Sequence, residues 1–362
     1  MKIVLAPDSF KGSLSAVAVS SAVAEGIRLV DSSHDVIEHP LADGGEGTLD
    51  VLASLGFSRH SAVVHNSWGV PITASWALHG TTAVIESAQA FGFISGATSR
   101  DALRASSAGV GELILAALEL SPSEIVLCVG GTSGTDGGVG MLQALGARAL
   151  DVRGADISPG GGNLRHLRVL DTATLDSRLA GVRITVATDV TNPLLGEGGA
   201  AKVFAPQKGA DPAGVEALEA GLAQAAEVIG AHYAALPGSG AGGGLAYGAL
   251  SVLEAQYVSG ATTLMAMTGF EGSLEGAGVV VTGEGSFDDQ SASGKITGSV
   301  IAAASKKGIP VVVVCGVSRL AAEGPNVSVL EISRGQPSVQ ASIDNARALL
   351  VGAGSEIARQ LA

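Results

Sequence analysis

KIVLAPDSFKGSLSAVAVSSAVAEGIRLV, residues 2–30, decides the fold. Residues 2–6 form a short apolar run of β type, and Pro7-Asp8-Ser9-Phe10-Lys11-Gly12 interrupts it with turn residues. Over residues 14–30 the apolar side chains Ala16, Val19, Val23, Ile27 and Val30 recur at three and four positions, the period of a helix buried along one face. Ser13 is placed to cap that helix. Strand, polar turn, helix is how an α/β chain begins, and ligands of such chains bind beyond the carboxyl ends of the strands.

The alternation returns at the other end. Residues 279–282 read as a strand, 297–307 as a helix with lysines in its last turn and Gly308 at its stop, and 310–315 as an all-apolar strand covered on both faces. A further strand is expected at 327–332 and a closing helix at 338–361, with Ile343, Ala346 and Leu350 on one face. Between the ends, 63–86 reads as a hairpin region, 107–120 as helix, 124–129 as buried strand, 139–145 as helix, 183–188 as strand and 211–234 as a long helical stretch. The class is α/β, with one domain assembled from both chain ends.

A chain of 362 residues exceeds one ordinary core, so two domains are expected. No apolar run reaches the ~18 residues of a membrane span. The N-terminal apolar run is too short for a signal peptide and meets Asp8 at once, which points to the cytoplasm. A net charge of −13 argues against a nucleic-acid surface but not against a small anion held by a few cations and backbone N–H groups. Cys128 and Cys315 both stand in apolar runs and read as buried, reduced thiols. Many of the 52 glycines cluster in turns that also carry Asp, Glu, Thr or Lys, the composition of tight backbone turns around an anion.

Five such segments carry candidate chemistry. APDSFKGSL at 6–14 sets Asp8, Ser9 and Lys11 beside a helix start; its plainer reading is a capped helix with a surface lysine. PLADGGEGT at 40–48 flanks a Gly44-Gly45 turn with Asp43 and Glu46, oxygen donors suited to Mg²⁺ or a hydroxyl, or an ordinary Asp-Gly turn. GGTSGTDGG at 130–138 offers N–H groups and the side chains of Thr132, Ser133, Thr135 and Asp136 around Gly131 as a phosphate cradle. DVTNPLLG at 189–196, with FAPQKGA at 204–210, puts Asp189 at a strand end and adds Asn192 and Lys208. TGEGSFDDQ at 282–290, with SGK at 293–295, contributes Glu284, Asp288 and Lys295; Asp289 and Ile296 break a Walker A reading. GSGAGG at 238–243 fits G-x-G-x-x-G but follows Pro237 and a helical stretch, so it reads as a flexible turn rather than a dinucleotide fingerprint.

Taken in order, these segments resemble the type I glycerate kinases. The resemblance runs from Lys2 to about Leu361 and rests on APDSFKGSLSA at 6–16, PLADGGEGT at 40–48, GGTSGTDGG at 130–138, DVTNPLLGEGGAA at 189–201, VFAPQKGA at 203–210, PGSGAGGG at 237–244 and GEGSFDDQSASGK at 283–295. The sequence departs from the family pattern at Gly134 and over residues 288–293.

The resemblance implies a Rossmann-like domain from 1–65 plus 290–362 and an inserted mixed α/β domain over 66–289, with the active site in the cleft between them. It implies Mg²⁺-ATP as donor and the 2-hydroxyl of D-glycerate as acceptor, giving 2-phosphoglycerate. Residue type and strand-end position then suggest roles. Asp189 orients or deprotonates the hydroxyl, Lys11 and Lys295 balance charge, Ser9 and the 131–138 loop add hydrogen bonds, and Asp43, Glu46 and Glu284 serve Mg²⁺. No nucleic-acid or membrane partner is expected, and the protein is expected to be a monomer or homodimer. The competing readings are a kinase giving 3-phosphoglycerate or acting on another small hydroxy acid, an inactive glycerate-binding protein, and a dehydrogenase resting on the 238–243 turn alone.

Overall fold

The computed structural model describes residues 1–93, 101–292, 295–320 and 326–361. Its strands are, in chain order, β1 (Lys2–Leu5), β2 (Asp35–Glu38), β3 (Ser58–His65), β4 (Pro71–His79), β5 (Thr82–Glu86), β6 (Glu124–Cys128), β7 (Arg148–Leu150), β8 (Val169–Asp171), β9 (Arg183–Ala187), β10 (Gln256–Val258), β11 (Ala277–Phe287), β12 (Val311–Ser318) and β13 (Val327–Glu331). The chain divides into two compact units, one of residues 1–43, 50–55 and 260–362, the other of 44–49 and 56–259.

In the first unit the sheet order is β13-β12-β11-β1-β2, and every pairing is parallel. The strands are apolar at successive positions because both faces are covered. Ile3, Leu5, Val279 and Val281 face a layer formed by helices Ala16–Val30 and Ala346–Leu361, while Val4, Ala6, Val280, Val311 and Val313 face helix Ile296–Lys306 and its neighbours. The two helices of the first layer meet backbone to backbone. A Cβ on Gly26 would stand 2.0 Å from the Val351 carbonyl oxygen, and one on Gly354 2.2 Å from that of Val23.

Two local expectations change here. The first helix begins at Ala16, capped by Ser15 accepting from the Ala18 N–H at 3.3 Å. Ser13 is drawn into a tight turn bridged by Phe10 and Leu14, and its hydroxyl donates to the Ile343 carbonyl at 3.4 Å. The closing helix is two, Val339–Asp344 and Ala346–Leu361, the first capped by Ser338.

The second unit holds a six-stranded sheet, β10-β9-β6-β5-β4-β3. Its β10, β9, β6 and β5 run parallel, and β4 and β3 close the edge as an antiparallel meander, the hairpin region read at 63–86. Helices Ala108–Leu118, Val139–Ala144 and Ala241–Val252 share a core with this sheet. A second core gathers around helix Pro212–Ile229, whose start is capped by Asp211 and set by a proline in its first turn.

The inserted unit is therefore not 66–289. It begins earlier because β3 pairs with β4, and it ends at Ser259 because β11 pairs with β1 and β12 in the other sheet. Among the described residues no helix is long and apolar enough to cross a membrane.

Candidate active-site residues

In the first unit β2 lies on one side of β1, and β11, β12 and β13 lie on the other. This is the 2-1-3-4-5 order of a doubly wound sheet, whose ligand crevice opens at the carboxyl ends of the strands where the order reverses. Here that point is the β1/β11 junction. A cavity of about 660 Å³ opens there, and Asp8, Ser9, Lys11, Asp43, Glu284, Asp288 and Lys295 all line it. The structure thus gathers, from segments far apart in sequence, the candidate residues of the first and last motifs together with Asp43. Ser293 and Gly294 of the last motif lie outside the described residues.

The acids crowd one another. Burial pushes the Asp8 carboxyl up to about 7; the Asp43 charge adds to the rise, the Ser9 N–H and the Lys11 ammonium oppose it, and Glu284 adds a smaller push. That N–H donates to the Asp8 carboxylate at 2.6 Å. Glu284 is buried, and its Oε1 has no hydrogen-bond partner. A buried, unpartnered carboxylate oxygen is costly unless a cation or donor completes it. The donor set is all oxygen, the preference of a hard cation. Among the described residues no three acidic, histidine or cysteine side chains form a metal cluster. The orphaned Glu284 oxygen fits Mg²⁺, which takes one or two carboxylates and fills its remaining positions with water and substrate phosphates. Asp43 and Glu284 are the residues that would hold it.

The second unit gathers the other candidates at the carboxyl ends of β5, β6 and β9. Gly44 and Gly45 pack on those ends: a Cβ on Gly44 would lie 3.4 Å from the Ala187 carbonyl oxygen, and one on Gly130 would lie 2.8 Å from the Gly45 Cα. Glu46 is exposed, and so is Gly131, which adopts φ 68°. Asp189, just beyond β9, accepts from the Ser259 hydroxyl at 2.7 Å. Asn192 braces its own loop by donating to the Gly198 carbonyl at 2.7 Å.

The loop 130–138 differs from the cradle of outward hydroxyls read from sequence. Thr132, Ser133, Thr135 and Asp136 are all buried. The Ser133 hydroxyl pairs with that of Ser67 at 2.7 Å and reaches the Phe91 carbonyl at 3.0 Å. Asp136 accepts from the Ser107 N–H and hydroxyl at 2.7 and 2.9 Å and from the Gly138 and Gly140 N–H groups at 3.1 and 3.3 Å. Its carboxylate holds the loop in shape. Burial raises its pKa, and these bonds resist the rise. Lys208 is buried too, donating to the Thr132 hydroxyl at 3.1 Å and to the Gly134 carbonyl. Burial lowers its pKa to about 7, with Asp136 opposing.

The glycine run at 242–244, read as a flexible turn, is instead a packed one. All three residues have positive φ, and a Cβ on Gly243 would meet the Gly134 carbonyl oxygen at 2.1 Å. Sequence reasoning also missed Glu86, which is buried and accepts from the Leu49 N–H at 3.0 Å and the Gly47 N–H at 3.4 Å, fastening the 44–49 segment. The signal was present: an acid closes the apolar strand Thr82–Glu86.

Comparison with known proteins agrees with this geometry. A family model described as the glycerate kinase family matches residues 3–362. The chain is 42% identical over 325 residues to glycerate 2-kinase of Escherichia coli K12, covering 87% of this chain and 85% of that protein. It is 40% identical to glycerate kinase of Bacillus subtilis 168 at the same coverage. The crystal structure of a protein provisionally described as glycerate kinase 2 from Salmonella typhimurium LT2 superposes with a TM-score of 0.86 at 36% identity, over 100% of this chain and 98% of that one. Shared across nearly the whole length in sequence and in fold, these likenesses make the chain a member of the glycerate kinase family.

Proposed function

We propose that this protein transfers the γ-phosphoryl group of ATP to the 2-hydroxyl of D-glycerate, releasing ADP and 2-phosphoglycerate. The observation that carries the reading is the meeting of Asp8, Asp43, Glu284 and Asp288 with Lys11 and Lys295 at the reversal point of the parallel sheet, in a chain of this family. The choice of the 2-hydroxyl follows the glycerate 2-kinase of Escherichia coli. A cytoplasmic location follows from the use of ATP.

Phosphoryl transfer needs alignment and charge neutralisation more than covalent chemistry. Lys11 and Lys295 place two ammonium groups on the cavity wall, where they offset phosphate charge. Asp43 and Glu284 would hold Mg²⁺, which would supply further neutralisation of the phosphate charge. Asp189, anchored by Ser259, orients the acceptor hydroxyl and takes its proton. Asp136 and Lys208 keep the 130–138 loop in one shape so that its backbone N–H groups stay aimed.

The test is ³¹P NMR of the product formed from D-glycerate, Mg²⁺ and ATP. A 2-phosphoglycerate resonance is expected. A 3-phosphoglycerate resonance would keep the kinase and overturn the acceptor hydroxyl, and no phosphorylated product from folded protein would overturn the reaction.

A further inference from the structure

The 660 Å³ cavity of the first unit is far larger than its charged end requires. Glycerate occupies only about 200 Å³ at a water-sized share of about 30 Å³ per heavy atom. The remaining space extends along the strand ends away from Asp8, Asp43 and Glu284, over β12 and β13. Its lining changes character there. Val317, Ile332, Val339 and Ile343 supply apolar walls, Gln336 adds an amide that can both donate and accept, and Arg319 and Glu331 stand at the strand ends beside them. Val317 is 40% exposed and Val339 72% exposed, so apolar surface stands open to solvent inside a concavity, which is how a small-molecule pocket is lined.

The floor is held in place. The Ile332 N–H donates to the Cys315 carbonyl at 2.9 Å and the Ser333 N–H to the Gly316 carbonyl at 3.1 Å, which extends the β12/β13 ladder past its last strand residue. Helix Val339–Asp344 is tied back by the Ser13 hydroxyl on Ile343, so the wall beside the polar turn is fixed from the same segment that carries Lys11.

From this we infer that the β12/β13 end of the cavity, walled by Val317, Ile332, Val339 and Ile343, binds the purine nucleoside of the phosphoryl donor. The polyphosphate then points toward Lys11 and Lys295. One ligand with an apolar aromatic end and a polyanionic end matches both halves of the cavity, and glycerate has no group for the apolar half. The inference rests on ATP being the donor, as proposed above.

Photolabelling of the wild-type protein with 8-azido-ADP tests it without altering the chain. Label is expected on the peptide spanning residues 326–346 and is expected to be displaced by ADP; displaceable label confined to another peptide would overturn the subsite. A second test uses Val317→Trp and Ser342→Trp, which fill the space from solvent-facing positions. The folded variants are expected to raise the KM for ATP and the Kd for ADP by about tenfold or more, the loss of roughly one apolar contact surface. The KM for glycerate and the affinity for inorganic triphosphate should change less than about twofold, since both rely on the polar end. Unchanged ADP affinity in both variants, or a rise in the glycerate KM alone, would sink the proposal. If the wild type binds ADP here yet phosphorylates no glycerate, the kinase reading fails and the subsite stands. If it phosphorylates glycerate while label and variants point elsewhere, only the subsite fails.

Discussion

Lys208 sits in surroundings that run against what its chemistry prefers. An ammonium group seldom stays buried without a carboxylate in contact; this one is held by a hydroxyl and a carbonyl. Its pKa in the folded protein is about 7 against an ordinary 10.5. Between those values the unfolded chain carries a proton that the folded chain has shed, so stability rises with pH across that window. Urea unfolding of wild type and Lys208→Met at several pH values checks this. The wild type is expected to gain on the variant from pH about 7 to about 10, and parallel curves would contradict it. Asp189 makes a different claim. Asn in its place still accepts from the Ser259 hydroxyl, so the melting temperature should hold. Without a base at that position kcat is expected to fall by about 10²–10⁴, and near wild-type turnover would remove Asp189 from the chemistry. Asp189 could be named from sequence because it follows an apolar strand, and Lys208 because it stands in the FAPQKGA segment between Pro206 and Gly209. What sequence did not reveal was which side chains face inward. Ser133 and Asp136 look like ligand contacts in a linear text and prove to be internal braces, since hydroxyls and carboxylates satisfy backbone N–H groups as readily as they satisfy phosphate.

At the scale of elements, the helices Ala16–Val30 and Ala346–Leu361 are held at a separation that only glycine permits. Gly354→Ala should force them apart against the Val23 carbonyl and lower stability by about 1–3 kcal/mol. Thermal or urea unfolding measures it, and a variant as stable as the wild type would show that the pair can slide. Strands were legible because burial on both faces makes them continuously apolar, and long helices because their apolar period is regular. The start of the first helix was less so: Ser13 read as its cap, but the Ser13 hydroxyl turns to the Ile343 carbonyl and Ser15 caps the helix instead. The glycine run 242–244 was misread for a related reason. Composition marks glycine as permissive, but only the neighbouring backbone at 134–137 shows that permissiveness is being used for contact.

At the scale of the molecule, the discontinuous origin of the first unit was readable from matching alternation at the two ends, while the boundary was not. Nothing in the apolar text of residues 277–287 says which sheet will accept the strand; the answer lies in pairing with β1 and β12. That pairing also sets a schedule. Strand β1 leaves the ribosome first, yet its place is interior to the sheet, between β2 and a strand that begins only at Ala277. At about 5–20 residues per second, synthesis keeps β1 waiting on the order of 15–55 s for that neighbour. The second unit, whose segments are all translated by Ser259, can finish first. Ribosome-bound chains stopped near residue 270 are expected to protect β6 and β9 from protease while β1 is still cut; protection of β1 at that length would refute the order. Until β11 emerges, one edge of an apolar strand lacks its partner, and the cell must guard that interval against aggregation.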